Sequence, residues 1–162
     1  EAYEQVFTDA AAFEEIEMDD TLIQTIRDQL DQEGYKAQSI EEVMRAEDQS
    51  GETLGYAFTV VTSEGYGGDI QFSMGVQNDG TLNGISILSI GETAGLGMNA
   101  DTPAFKDQFV GKQVEKLQYT KNGATQDDEI NAISGATVTT NAMTNGVNAG
   151  LCAFRVMEGG DQ

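Results

Sequence analysis

The feature that most restricts the fold is an apolar pattern near the end of the chain. Val138, Ala142, Met143, Gly146, Val147, Gly150, Leu151 and Phe154 recur at three- and four-residue steps, which predicts a helix with one buried face. Such a face needs a second layer to cover it. Just ahead of it stands Ser134-Gly135-Ala136-Thr137-Val138-Thr139, where three hydroxyls crowd into six positions and two small residues let the backbone turn tightly. Thr139 or Thr140 is placed to cap the helix, with Asn141 in support. A hydroxyl at the positive end of a helix dipole, beside unpaired backbone N–H groups, suits a phosphate. By spacing alone, the same residues also read as a Ser/Thr cap that binds nothing.

The covering layer is read from the middle of the chain. Leu54 to Thr62 is rich in aromatic and β-branched residues and predicts a strand. Asp69 to Gln77 and Thr81 to Ile90 predict two more, joined by the turn Asn78-Asp79-Gly80, with Ile85, Ile87 and Ile90 as candidates for the inner face. Lys36 to Asp48 fits an earlier strand carrying a bulge, closed by the turn Gln49-Ser50-Gly51. Before it, Asp19 or Asp20 caps a helix with the stripe Leu22, Ile23, Ile26 and Leu30, stopped by Gly34. Glu1 to Asp19 reads as a short helix and an extended piece. Thr102-Pro103 opens a short helix that turns Phe105, Phe109 and Val110 inward. Val114 to Tyr119 predicts a strand, Asn122-Gly123 a type I′ turn, and Gln126 to Glu129 a solvated bend. The expected fold is α+β: one domain over residues 1–162, a twisted antiparallel sheet flanked by helices.

Two segments fit neither period. Gly65-Tyr66-Gly67-Gly68 sets glycines around one tyrosine, which suits a plain turn or close backbone approach to a flat ligand. Gly91-Glu92-Thr93-Ala94-Gly95-Leu96-Gly97-Met98 lacks the Lys-Ser/Thr of a phosphate loop.

Charge removes several functions. The formal net charge is −20, from 28 acidic and 8 basic residues, so no Lys/Arg clusters exist to displace counterions from nucleic acid. The acidity reads as a solvated surface or as a field that steers cationic partners. There is no histidine, which excludes His-based metal sites, triads and proton shuttles. The single cysteine, Cys152, falls on the apolar side of the last helix and reads as packing. We assign no catalytic residue and no metal site.

Three motifs in order carry a resemblance. Ser134-Gly135-Ala136-Thr137-Val138-Thr139 resembles the S-G-A-T-x-T flavinylation motif of FMN-binding domains, found in the G subunit of the Rnf electron-transport complex and the C subunit of the Na+-translocating NADH:quinone reductase. Glu92-Thr93-Ala94-Gly95-Leu96-Gly97 is similar to the E-T-P-G-L-G segment of those subunits, with Ala94 for proline, and Gly65-Tyr66-Gly67-Gly68 precedes it as in the family. The resemblance covers roughly Gly55 to Phe154, and the flavin motifs lie within 65–140. A further departure is Asn131, where the family usually has aspartate three residues before the motif serine.

The resemblance implies that a flavin transferase moves FMN from FAD onto Thr139 as a phosphoester, with Ser134, Gly135, Ala136 and Thr137 beside it. It implies that Tyr66, Glu92, Thr93 and Leu96 face the flavin. It further implies a redox subunit that relays single electrons among other subunits of a membrane-bound, ion-translocating complex, most like the G subunit of the Rnf type. The C subunit of the quinone reductase is the alternative, as is a flavin-carrying or sensing module with no electron transfer of its own. A cofactor-free acidic interaction domain is the remaining reading. Family members carry an N-terminal membrane helix, so Glu1 to Gln162 is expected to be the part beyond such an anchor, on the extracytoplasmic side of the cell membrane.

Overall fold

β-branched and aromatic residues between 38 and 90 build the sheet that the last helix requires. The computed structural model describes residues 6–7, 10–64, 69–90, 103–113, 117–120, 128–132 and 137–159. Five strands, β1 (Ala12–Glu15), β2 (Gln38–Glu47), β3 (Thr53–Thr62), β4 (Ile70–Gln77) and β5 (Leu82–Ile90), lie side by side in chain order. Every neighbouring pair is antiparallel. The expected bulge in β2 is found as a register shift between Ile40 and Glu42. The α+β, single-domain expectation matches this architecture.

Period-two alternation then gives each sheet face its own cover. Tyr56, Phe58 and Val60 of β3, with Phe72, Met74 and Val76 of β4, point into the larger core. Helix α1 (Asp20–Glu33) and the long helix α3 (Thr137–Gly159) pack there. On the other face, Val6 and Phe7 cover Ala46 and Ala57. A Cβ on Gly55 or Gly75 would meet the Phe7 ring at 2.9 Å.

Helix α1 obeys its punctuation. The Asp19 side chain accepts from the Leu22 N–H at 2.8 Å, and Gly34 ends the helix at φ 92°. Its stripe is shorter than expected: Ile26 and Leu30 are buried, Leu22 is half-buried, and Ile23 is 48% exposed. Ile23 shares their side of the helix, about 20° from Leu30 at 100° per residue, but lies in the first turn, ahead of the turns that Ile26 and Leu30 bury. The short helix α2 (Pro103–Lys106) and the 3-10 turn Asp107–Phe109 bury Phe105 and Phe109, whose rings meet edge to face at 5.3 Å. Val110 instead points to solvent at 56% exposure, because the turn ends there and its backbone becomes extended. Ile85 is buried and Ile87 half-buried; Ile90 is described only as a strand residue.

Two short strands, β6 (Gln118–Thr120) and β7 (Glu129–Asn131), differ from expectation more sharply. They pair in parallel, whereas an antiparallel sheet was expected. Asn122-Gly123 lies outside the described residues. Glu129 belongs to β7, whose Ile130 is fully buried, rather than to a solvated bend.

The long helix lies close on the sheet because it presents glycine. A Cβ on Gly146 would stand 2.8 Å and 3.0 Å from the Phe72 ring, and one on Gly150 would strike the Met74 thioether. Farther along, Phe154 meets Tyr56 edge to face at 6.3 Å. The two helices are also tied to each other: Arg155 donates to both oxygens of Glu33, at 2.8 and 3.0 Å. Burial pushes the Glu33 carboxyl up, but hydrogen bonds from Gln29 and Arg155, the Arg155 charge and the Cys152 thiol outweigh it, so the group sits below its ordinary value. Burial, reinforced by the Glu33 charge, pushes the Cys152 thiol up to about 12, which makes it a packing group at neutral pH.

Gly146→Ala should therefore destabilise the fold. Overpacking against a rigid ring costs about 1–3 kcal/mol, against about 1 kcal/mol gained in helix propensity. Gly150→Ala should cost less, because a thioether can swing aside. Urea unfolding of both variants checks the order.

The Glu33–Arg155 pair gives a pH dependence. Because the folded Glu33 carboxyl is lowered, its stabilisation is present above the unfolded value near 4.5 and is lost as pH falls through the folded one. Glu33→Gln should lower stability at pH 7 by about 1 kcal/mol or less. The gap from the unaltered protein should close as pH falls through the folded value, as read by thermal unfolding across pH.

Candidate functional site

Helix α3 runs antiparallel to β3. Gly146 lies against Phe72 and Thr62, Gly150 against Met74, and Phe154 against Tyr56 at the opposite end of the strand. Its N-terminal turns therefore reach the end of the sheet where β3 finishes. At that end Thr62 pairs with Ile70, and Ile70 pairs with Ile90. The chain leaves this one edge twice, after Glu64 into 65–68 and after Ile90 into 91–102. The ends of β3 and β5 thus flank the start of β4, and α3 begins at the same end of the sheet.

The helix begins at Thr137, so Thr139 and Thr140 lie inside its first turn and do not cap it, contrary to the expectation from spacing. The turn extends that far back because both threonines pack: Thr139 is 1% exposed and Thr140 fully buried. Thr139 continues the stripe of Ala142, Met143 and Gly146. The first four N–H groups of a helix have no intrahelical acceptor, and the dipole adds positive potential there. Such an environment suits a phosphoryl group, and the Thr139 hydroxyl lies in this first turn.

Polar side chains that sequence reasoning missed hold this end together. Gln38, 2% exposed at the start of β2, donates from Nε2 to Thr62 Oγ1 at 3.0 Å and to Glu64 Oε1 at 2.6 Å. Asn145 Nδ2 donates to the same Glu64 oxygen at 2.9 Å. A turn farther along, Asn148 closes both backbone groups of Leu117, accepting from its N–H at 2.7 Å and donating to its carbonyl at 2.9 Å. The available signal was two amides, Asn148 set among the small and apolar residues between Gly146 and Phe154, and Asn145 just ahead of them. Their partners are more than 30 residues away, beyond any local rule.

Of the expected site residues, Thr139 is described in full and Thr137 as the first residue of α3. Ser134, Gly135, Ala136, Tyr66, Glu92, Thr93 and Leu96 lie outside the described residues. Asn131 is exposed at the end of β7, its N–H donating to Gln108 Oε1 at 2.7 Å and its carbonyl accepting from Gln108 Nε2 at 3.2 Å. Among the described residues no helix is long and apolar enough to cross a membrane.

Among known proteins, the FMN-binding domain family matches residues 65–151. The G subunit of the Na(+)-translocating ferredoxin:NAD(+) oxidoreductase complex of Acetobacterium woodii is 36% identical over 108 residues, 65% of this chain and 52% of its own length. The C subunit of the Na(+)-translocating NADH-quinone reductase of Pasteurella multocida is 41% identical over 80 residues, 44% of this chain and 31% of its own. The crystal structure of Shewanella oneidensis NqrC has a similar fold, with a TM-score of 0.59 at 20% identity over 73% of this chain and 61% of that one. The chain spans about half the length of the Acetobacterium woodii protein it matches.

Proposed function

The chain belongs to the FMN-binding domain family, and on that premise we propose that it is the flavin-carrying redox unit of a membrane-bound, ion-translocating oxidoreductase complex, with FMN joined to Thr139 as a phosphoester. The observation that carries this reading is the meeting, at one sheet end, of the start of α3 with the strand ends that lead to 65–68 and 91–102. The G subunit of an Rnf-type ferredoxin:NAD+ complex is the specific role we assign. Five relatives of that type are 33–38% identical over 98–113 residues, whereas the quinone-reductase relative that matches over the longer stretch of 147 residues is 31% identical.

Attachment needs one group transfer. Thr139 Oγ attacks the phosphorus on the FMN side of the FAD pyrophosphate, with a flavin transferase as catalyst. The Oγ–P bond forms, the bond to the AMP phosphate breaks, AMP leaves, and the hydroxyl proton passes to solvent. The backbone N–H groups that open α3 stabilise the phosphoryl oxygens. Burial of Thr139 shelters the product ester from water, and it also means the enzyme must open the cover to reach the hydroxyl.

Once bound, FMN would supply one-electron transfer between neighbouring redox centres, while the chain supplies position and electrostatics. Covalent attachment keeps the flavin from diffusing away on the extracytoplasmic side, where we place the domain. The strongly acidic surface repels anionic partners and favours docking to cationic ones.

Co-expression with a flavin transferase should add one FMN to the intact mass, and Thr139→Ala should abolish the addition. A label that persists in Thr139→Ala and maps to Thr137 would overturn the assignment. Asn131→Asp, which restores the usual residue at an exposed position, should speed labelling in a time course. An equal or slower rate would show that the departure is neutral.

A further inference from the structure

We propose that Glu64 is a positioning residue for flavin attachment, fixing the exit of β3 against the helix that bears the acceptor hydroxyl. The inference rests on Thr139 being that acceptor. Glu64 is the last residue before the 65–68 segment and is held from three directions. Its backbone N–H donates to Thr62 Oγ1 at 3.3 Å. One carboxylate oxygen accepts from Gln38 of β2 at 2.6 Å and from Asn145 of α3 at 2.9 Å.

The donors are both neutral amides, and no Lys or Arg pairs with Glu64 among the described residues. An ion pair would serve stability at best modestly. A carboxylate satisfied by two amides instead fixes direction, because each amide N–H must aim at one oxygen. Asn145 stands six residues after Thr139, roughly 9 Å along the axis at 1.5 Å per residue. The two strands and the helix therefore meet at one atom, within two turns of the acceptor. One turn farther on, Asn148 adds a second polar tie, to both backbone groups of Leu117, and Gly146 and Gly150 rest on Phe72 and Met74.

The role is one of geometry, so an uncharged side chain with the same carbonyl should keep it. Glutamine at this position offers one oxygen to both amides. Alanine removes the acceptor and leaves the buried Gln38 amide one partner short.

The mass increase of purified protein, incubated with a flavin transferase and FAD, reads the rate of attachment. Glu64→Ala and Asn145→Ala should each slow initial labelling on the order of five- to tenfold, the scale on which sub-ångström misplacement acts. The FAD concentration for half-maximal rate should not change. Glu64→Gln should label at close to the unaltered rate, and the Glu64→Ala/Asn145→Ala pair should be no slower than the slower single variant, since one tie is lost in both. Labelling of Glu64→Ala at the unaltered rate overturns the proposal, as does Glu64→Gln as slow as alanine or a multiplicative double variant. Where Glu64→Ala fails to fold, Asn145→Ala and Glu64→Gln decide by the same rates. If the unaltered protein itself takes no label, the acceptor reading fails first, and the mass spectrum shows which has happened.

Discussion

The close seat of α3 on the sheet is the constraint from which the rest follows. Gly146 and Gly150 bring the helix backbone down onto Phe72 and Met74, and with Phe154 against Tyr56 they fix its line along β3. A side chain at Gly146 would have to displace a fully buried ring. The direction of the helix is then settled, and with it the end of the sheet at which Thr139 stands. Interiors packed to this density transmit a shift at one contact along the whole element.

That seat also explains the division of labour between the two ends of α3. Toward its C-terminus the helix is tied to α1 through Arg155 and Glu33, with Cys152 buried beneath them and held inert by its raised thiol pKa. Toward its N-terminus the ties are amide to carboxylate, Asn145 to Glu64, with Gln38 below. The first arrangement serves stability. The second orders backbone at the point where the chain leaves β3, and buried polar networks of this kind favour one arrangement over its neighbours.

Much of the fold was legible in the sequence because its signals are local. Asp19 and Gly34 bracket α1 as cap and terminator, and the turn Asn78-Asp79-Gly80 joins two strands of the expected extent. The small-residue spacing of the last helix foretold its buried face. Failures came at the ends of elements: Ile23 lies in the exposed first turn of α1, and Val110 follows a turn that stops one residue early. The parallel pairing of β6 with β7 was illegible because no local code pairs residues eleven apart in this sense. For the site, the motif resemblance pointed to Thr139, while spacing made Thr139 or Thr140 a cap; packing draws both inside the helix instead. The Gln38–Glu64–Asn145 tie joins three distant segments, which no periodicity reveals.

If Thr139 carries the flavin, the ring belongs at the sheet end bounded by Thr62, Ile70 and Ile90, in front of the start of α3. A crystal structure of the flavinylated protein tests this most directly. It should show a phosphate bonded to Thr139 Oγ within reach of the first N–H groups of α3, with the ring system lying over that sheet end. A ring seated on the opposite sheet face beside Phe7, or at the far end of β3 near Tyr56, would contradict it.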